Sequence, residues 1–100
     1  MKRYRVVFSE RATADLIASL EWGGANWGDQ EAWKWYSGIR KKIRTILGSF
    51  PMSQRIASDK EEYEVEVRQL SIGRYRILFN VTGSIVTILH VQGPYTGKYL

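Results

Sequence analysis

Three arginines, Arg68, Arg74 and Arg76, fall close together in a stretch whose neighbours alternate between apolar and polar. A guanidinium presents a fork of N–H donors that fits two oxygens of a phosphate or carboxylate at once, so such a row suits an anionic partner. Further along stands His90, the single histidine of the chain. With an unperturbed pKa near neutrality it can move a proton as general acid or base. A lone histidine on an apolar strand is more often a hydrogen-bonded structural residue. A metal cluster is excluded for it, because neither a cysteine nor a second histidine exists to join it. Two look-alikes carry no chemistry. Gly93-Pro94-Tyr95-Thr96-Gly97-Lys98 resembles a phosphate-binding loop but is one residue short and lacks the following Ser or Thr. Asn80-Val81-Thr82 matches a glycosylation acceptor inside what reads as a strand.

The elements that must hold these residues follow from periodicity. Residues 3–8 read as a strand with Tyr4, Val6 and Phe8 on one side, and Ser9 is placed to cap a helix. Leu16, Ile17 and Leu20 recur at helical spacing, Asp15 and Glu21 fall on other faces, and Gly23-Gly24 is expected to end the helix. Asp29 is expected to cap a second helix whose apolar stripe is Ala32, Trp33, Tyr36, Ile39, Ile43, Ile46, Leu47 and Phe50. The short glycine-containing link makes the two helices an antiparallel hairpin. Residues 51–60 read as a loop, in which Ser58-x-x-Glu61 matches a capping box only on paper. Tyr63, Val65 and Val67 alternate with acids as a half-buried strand, followed by a turn at Ser71-Ile72-Gly73. Tyr75 to Val81 alternates again, Thr82-Gly83 turns, and Ile85 to Val91 is the nearly continuous apolar run of a central strand. The fold class is α+β, in the order β-α-α-β-β-β, with the helical hairpin on one face of a three-stranded antiparallel sheet. Residues 92–100 read as a flexible C-terminal tail of a single domain spanning 1–100.

On the sheet face away from the helices, alternation then collects Arg3, Arg5, Arg68, Arg74 and Arg76 with Glu64 and Glu66. They form either a basic groove with an acidic margin or a set of cross-strand pairs, Glu64 and Glu66 against Arg74 and Arg76. Trp22, Trp27 and Trp35 fall off the helical stripes, and Trp22 and Trp27 serve either as interface anchors or as packing at the hairpin tip. Arg40-Lys41-Lys42 and Arg44 form a basic run that is either a solvated helix face or a nucleic-acid contact.

Composition bounds the rest. The chain has 100 residues, enough for one domain with a modest core, and a net charge of +5 that suggests a phosphate-bearing or acidic partner. The absence of cysteine excludes disulfides and fits a reducing compartment. The apolar run after Lys2-Arg3 is too short for a signal peptide, and no stretch is long enough to span a bilayer, so a cytoplasmic protein with no membrane partner is expected.

This order, with these residues, resembles the ParE/RelE superfamily of type II toxin–antitoxin toxins and plasmid-stabilisation proteins over nearly the whole chain. The resemblance is carried by Tyr4-Arg5-Val6-Val7-Phe8-Ser9-Glu10-Arg11-Ala12, by Ala14-Asp15-Leu16 and by Phe50-Pro51. Its most specific part is Arg68-Gln69-Leu70-Ser71-Ile72-Gly73-Arg74-Tyr75-Arg76-Ile77-Leu78-Phe79, followed by Val86-Thr87-Ile88-Leu89-His90-Val91. The Gly-x-Tyr-Arg run and the later His-Val look more like ParE than RelE. The resemblance implies a protein that arrests growth when free and is neutralised by a cognate antitoxin, with no cofactor. ParE-like members poison DNA gyrase, whereas RelE-like members cut messenger RNA on the ribosome. A RelE-like nuclease would draw on Arg68 and Arg76 for the phosphate and on His90 or Tyr95 for the proton. Against it, Glu66 stands where such an enzyme is basic, and Val91 is followed by Gln92-Gly93-Pro94 where another basic residue is expected. The expectation is therefore a ParE-like, non-catalytic toxin that touches its target or antitoxin through Arg68, Arg74, Arg76, Lys98, Tyr99, Trp22 and Trp27. The alternatives are a ribosome-dependent mRNA endonuclease and a non-toxic relic that only binds antitoxin. Its assembly is expected to be a homodimer or a hetero-oligomer with antitoxin.

Overall fold

The computed structural model describes residues 2–57 and 64–93. In chain order the elements are β1 (Arg5–Phe8), α1 (Glu10–Trp27), α2 (Asp29–Leu47), a 3-10 turn at Pro51–Ser53, β2 (Arg68–Ile72), β3 (Tyr75–Thr82) and β4 (Ile85–Gln92). The strands form one sheet in the order β1-β4-β3-β2. β2, β3 and β4 are antiparallel, as the hairpin turns require, but β1 joins β4 in parallel, so the sheet is mixed and has four strands. β4 therefore lies between β1 and β3, which is why its sequence is apolar almost throughout.

Ser9 caps α1 as its residue type suggests, its hydroxyl accepting from the Ala12 amide at 3.1 Å. The helix does not stop at Gly23-Gly24 but runs through to Trp27. Gly23 is buried, and a Cβ there would come within 3.0 Å of the Trp27 ring and 3.2 Å of Ala32 Cβ on α2. The glycine thus serves close helix packing, and the break falls at Gly28, whose φ of 96° suits glycine. Gly28, not Asp29, is the cap of α2, and Asp29 and Glu31 occupy its first turn.

The α2 stripe buries Ile39, Ile43 and Leu47 in the main core shared with the sheet, and Ala32 beside Gly23 of α1. Trp33 lies off that line and is 56% exposed, while Trp35 packs on the core with its ring 5.2 Å from Tyr75. Phe50 stands beyond the helix end and is also exposed. The core joins these residues to Leu16 of α1 and to Ile77, Phe79, Val86, Ile88 and Val91 of the sheet, all fully buried. Burying side chains of this size contributes about 1.5–3 kcal/mol each.

The β2–β3 hairpin lies further along the chain than alternation suggested. Its two-residue turn is Gly73-Arg74, with Gly73 at φ 57°, so Ile72 pairs with Tyr75 and Ser71 with Arg76. Ser71 and Ile72 are strand, Glu64 and Val65 precede the strand in a bend, and Tyr63 with the Ser58–Glu61 capping match lies outside the described residues. Gln92 closes β4 and is not part of a tail. Tyr95, Lys98 and Tyr99 lie outside the described residues.

The face away from the helices is not wholly polar. Leu78, Val67 and Ala57 form a second buried cluster with Leu89 packed against it. Residues 55–57 lie along the β2 edge, with the Ala57 amide donating to Val67 O at 2.8 Å and the Gln69 amide to Arg55 O at 3.0 Å. β4 carries a bulge here: Leu78 pairs with His90 and Phe79 with Ile88, leaving Leu89 as the extra residue. The bulge lets Ile88 and Val91 both reach the main core, so the run cannot show a strict period of two.

Candidate functional site

The turn register decides which basic residues meet. Because two residues link β2 to β3, even-numbered positions of one strand share a face with odd-numbered positions of the other. Arg68 consequently sides with Leu70 and Phe79, and Arg76 with Gln69 and Leu78. The expected groove containing both arginines is not formed. Arg68 donates to Gln54 O at 2.7 Å and pairs with its near neighbour Glu66 at 3.3 Å. Its Nε is buried without a partner among the described residues, and the side chain works as a strut tying the post-α2 segment to β2. The expected ladder of Glu64 and Glu66 against Arg74 and Arg76 is likewise absent from the described residues, since Ser71 stands opposite Arg76. Arg74 is exposed in the turn.

Arg76 lies on the open face in the middle of the sheet. Its Nε donates to Gln69 Oε1 and its Nη1 to Gln92 Oε1, both at 3.0 Å. Two amide oxygens from the flanking strands thereby fix the direction of the fork. Gln69 and Gln92 were not singled out by sequence; only the observed register brings them to either side of Arg76.

His90 shares this face, since it pairs with Leu78 two positions along from the Arg76–Gln92 pair. It is 4% exposed, and both ring nitrogens are engaged. Nδ1 meets Asp15 Oδ2, and Nε2 lies 3.3 Å from the Arg11 guanidinium. A neutral ring with its proton on Nδ1 satisfies both contacts: the N–H donates to the carboxylate and Nε2 accepts from Arg11. Asp15 Oδ2 also accepts the Val91 amide at 2.8 Å.

These contacts have a simple origin. β1 ends opposite Ile88, so the last part of β4 has no strand on that side. The start of α1 takes its place: the Ser9 amide donates to Ile88 O at 2.9 Å and the Ser9 hydroxyl to Leu89 O at 3.2 Å. Arg11 and Asp15, one helical turn apart, are carried onto His90. The spacing of Arg11 and Asp15 was the available signal, but Asp15 reads as outward-facing when the helix is considered without its strand.

Trp22 and Trp27 meet edge to face with centroids 5.2 Å apart at the end of α1, and Trp27 is 41% exposed. Of the basic run on α2, Lys41 and Lys42 are exposed, whereas Arg40 and Arg44 stack over the Phe8 ring at 4.4 and 5.0 Å. Among the described residues no cluster of three or more His, Cys, Asp or Glu could hold a metal, and no helix is long and apolar enough to cross a membrane.

The sequence model of the ParE toxin of the type II toxin–antitoxin system parDE matches residues 6–93, which takes in every element described above apart from Arg5 at the start of β1. The chain belongs to the ParE toxin family. Among solved structures, a chain from a chromosomal ParDE toxin–antitoxin system of P. aeruginosa is similar in fold, with a TM-score of 0.74 at 20% identity. The likeness covers 91% of this chain and 96% of that one. No curated protein matches the chain. Family membership makes this a toxin of type II toxin–antitoxin systems and implies an antitoxin as partner.

Proposed function

We propose that the chain arrests growth by binding, with DNA gyrase as its target in the cytoplasm, and that a cognate antitoxin neutralises it. The toxin assignment rests on the family. That it binds its target without cutting RNA rests on one observation: both His90 nitrogens are engaged inside the fold, so the ring turns no nitrogen toward a substrate on the open face. Cleavage of RNA needs a group there to take up or deliver a proton, and of the candidates among the described residues His90 is held inside the fold while the arginines stay charged at all relevant pH. Arg76, aimed by Gln69 and Gln92, is the contact best prepared for an anionic group of the target. The antitoxin is a chain that is largely disordered alone and orders on binding, laying apolar side chains along the helical hairpin and sheet.

A ribosome-dependent nuclease is the second reading, favoured by the presence of Arg76 and His90 on one sheet face. Translation of one defined messenger in a cell-free reaction, followed by primer extension, separates the two. Binding without cleavage leaves the messenger intact in the presence of purified protein. New 5′ ends at codon boundaries, appearing only with ribosomes, would establish the nuclease.

A further inference from the structure

Tyr4 to Phe8 and the second half of α2 run side by side in opposite directions. The Tyr4 amide donates to Gly48 O at 2.9 Å, Arg44 Nη1 donates to Val6 O at 2.9 Å, and the Arg40 guanidinium lies over the Phe8 ring. Two adjoining hollows, of about 570 and 280 Å³, open along this seam and share Tyr4 and Arg44. Arg5 and Arg40 line the larger, and Arg3 lines the smaller. Lys2 stands over the Tyr4 ring at 5.0 Å. Lys41 is exposed one helical turn before Thr45, which lines the smaller hollow. No acidic residue lines either hollow, and no ion pair among the described residues involves these cations.

The aromatic residues of the seam narrow its ligand. Phe8 and Tyr4 are half-buried, and their rings carry Arg40 and Arg44 in one case and Lys2 in the other. Rings so covered offer little face for stacking an unpaired base or for anchoring a partner protein. What the seam presents is closely spaced positive charge, with Arg40 and Arg44 one helical turn, or about 6 Å, apart. Duplex DNA presents the complement, one negative charge per about 1.7 Å of its axis.

We propose that this seam binds the phosphate backbone of duplex DNA without reading its sequence, through Arg3, Arg5, Arg40, Lys41 and Arg44. Phosphate oxygens accept from the guanidinium and ammonium groups, and binding releases counterions condensed on the duplex. Ring stacking and the Val6 carbonyl already hold Arg40 and Arg44 in place, so little side-chain freedom is lost on binding. A toxin that seeks an enzyme at work on DNA would be concentrated beside it. That use rests on the gyrase reading, whereas DNA binding itself does not.

The test is fluorescence anisotropy of a labelled mixed-sequence duplex of about 20 base pairs, titrated with the full chain over a series of salt concentrations. Affinity should fall with salt along a log–log line of slope about −3 or steeper, the release expected of three or more phosphates. Duplexes rich in A·T and in G·C should bind within about twofold of each other. Arg3→Gln with Lys41→Gln, both exposed residues, should weaken binding at least about fivefold and flatten the slope by about 1–2. Lys34→Gln with Arg74→Gln removes the same charge from the first half of α2 and the β2–β3 turn, and should change affinity less than about twofold. Equal weakening by the two double variants would show that net charge alone acts and would overturn the proposal. No binding with about 0.1 mM protein at about 50 mM salt, or a salt-independent interaction, would overturn it as well. So would tighter binding of single-stranded DNA or duplex RNA, or equal competition by polyglutamate, which would assign the seam to RNA or to an acidic protein. The salt series and polymer comparisons leave the protein unaltered, so they decide the matter even if a variant misfolds. With no gyrase present, the outcome stands apart from the identity of the toxin's target.

Discussion

Asp15 Oδ2 accepts from the Val91 amide and meets the His90 ring, so a single carboxylate ties α1 to the unpaired stretch of β4. Removing it strands a backbone donor and a buried imidazole nitrogen together. Asp15→Ala should therefore destabilise the fold by about 1–3 kcal/mol, measured by urea unfolding. Arg11→Ala removes a partner that is itself exposed and should cost under about 1 kcal/mol in the same assay. Arg76→Ala belongs to a different class, because its side chain serves recognition in this account. The variant should fold, and the amount of protein giving half-maximal growth arrest should rise at least about tenfold. Full potency in a folded Arg76→Ala protein would remove this residue from the binding surface. His90 as a structural histidine was legible from its lone position on an apolar strand. Its partners were not, because Asp15 turns inward only where β1 stops short of β4's end.

At the scale of elements, glycines separate packing from propensity. Gly38 lies within α2 with open space where a Cβ would stand, so Gly38→Ala should stabilise by about 0.5–1 kcal/mol. Gly23, also helical, faces Trp27 and Ala32, so Gly23→Leu should overpack the hairpin and cost about 1–3 kcal/mol. Thermal unfolding of the two variants side by side checks the contrast, and equal shifts would contradict it. The same glycine shows where local rules mislead: Gly23-Gly24 reads as a helix stop, yet it marks the close approach of α2. The elements themselves were legible from apolar spacing and from Ser9. Register was less so, because the placement of the turn at Gly73-Arg74 sets which face each arginine takes. Moving the turn by one position is enough to place Arg68 and Arg76 together on paper and apart in the fold. The Leu89 bulge and the second cluster under Ala57 depend on long-range pairing and leave no local period to read.

For the whole molecule, the helical hairpin and the sheet share one main core, and Arg76 stands on the sheet face away from it, held by Gln69 and Gln92. The resemblance in the sequence reached the family because its short motifs fall in order along the chain, and the match over residues 6–93 agrees. The most direct measurement is DNA supercoiling by purified gyrase, with the folded protein titrated in. Supercoiling should be lost as the protein approaches and exceeds the concentration of the enzyme, and Arg76→Ala should shift that loss to higher concentration. Undiminished supercoiling at large molar excess of folded protein would contradict the account.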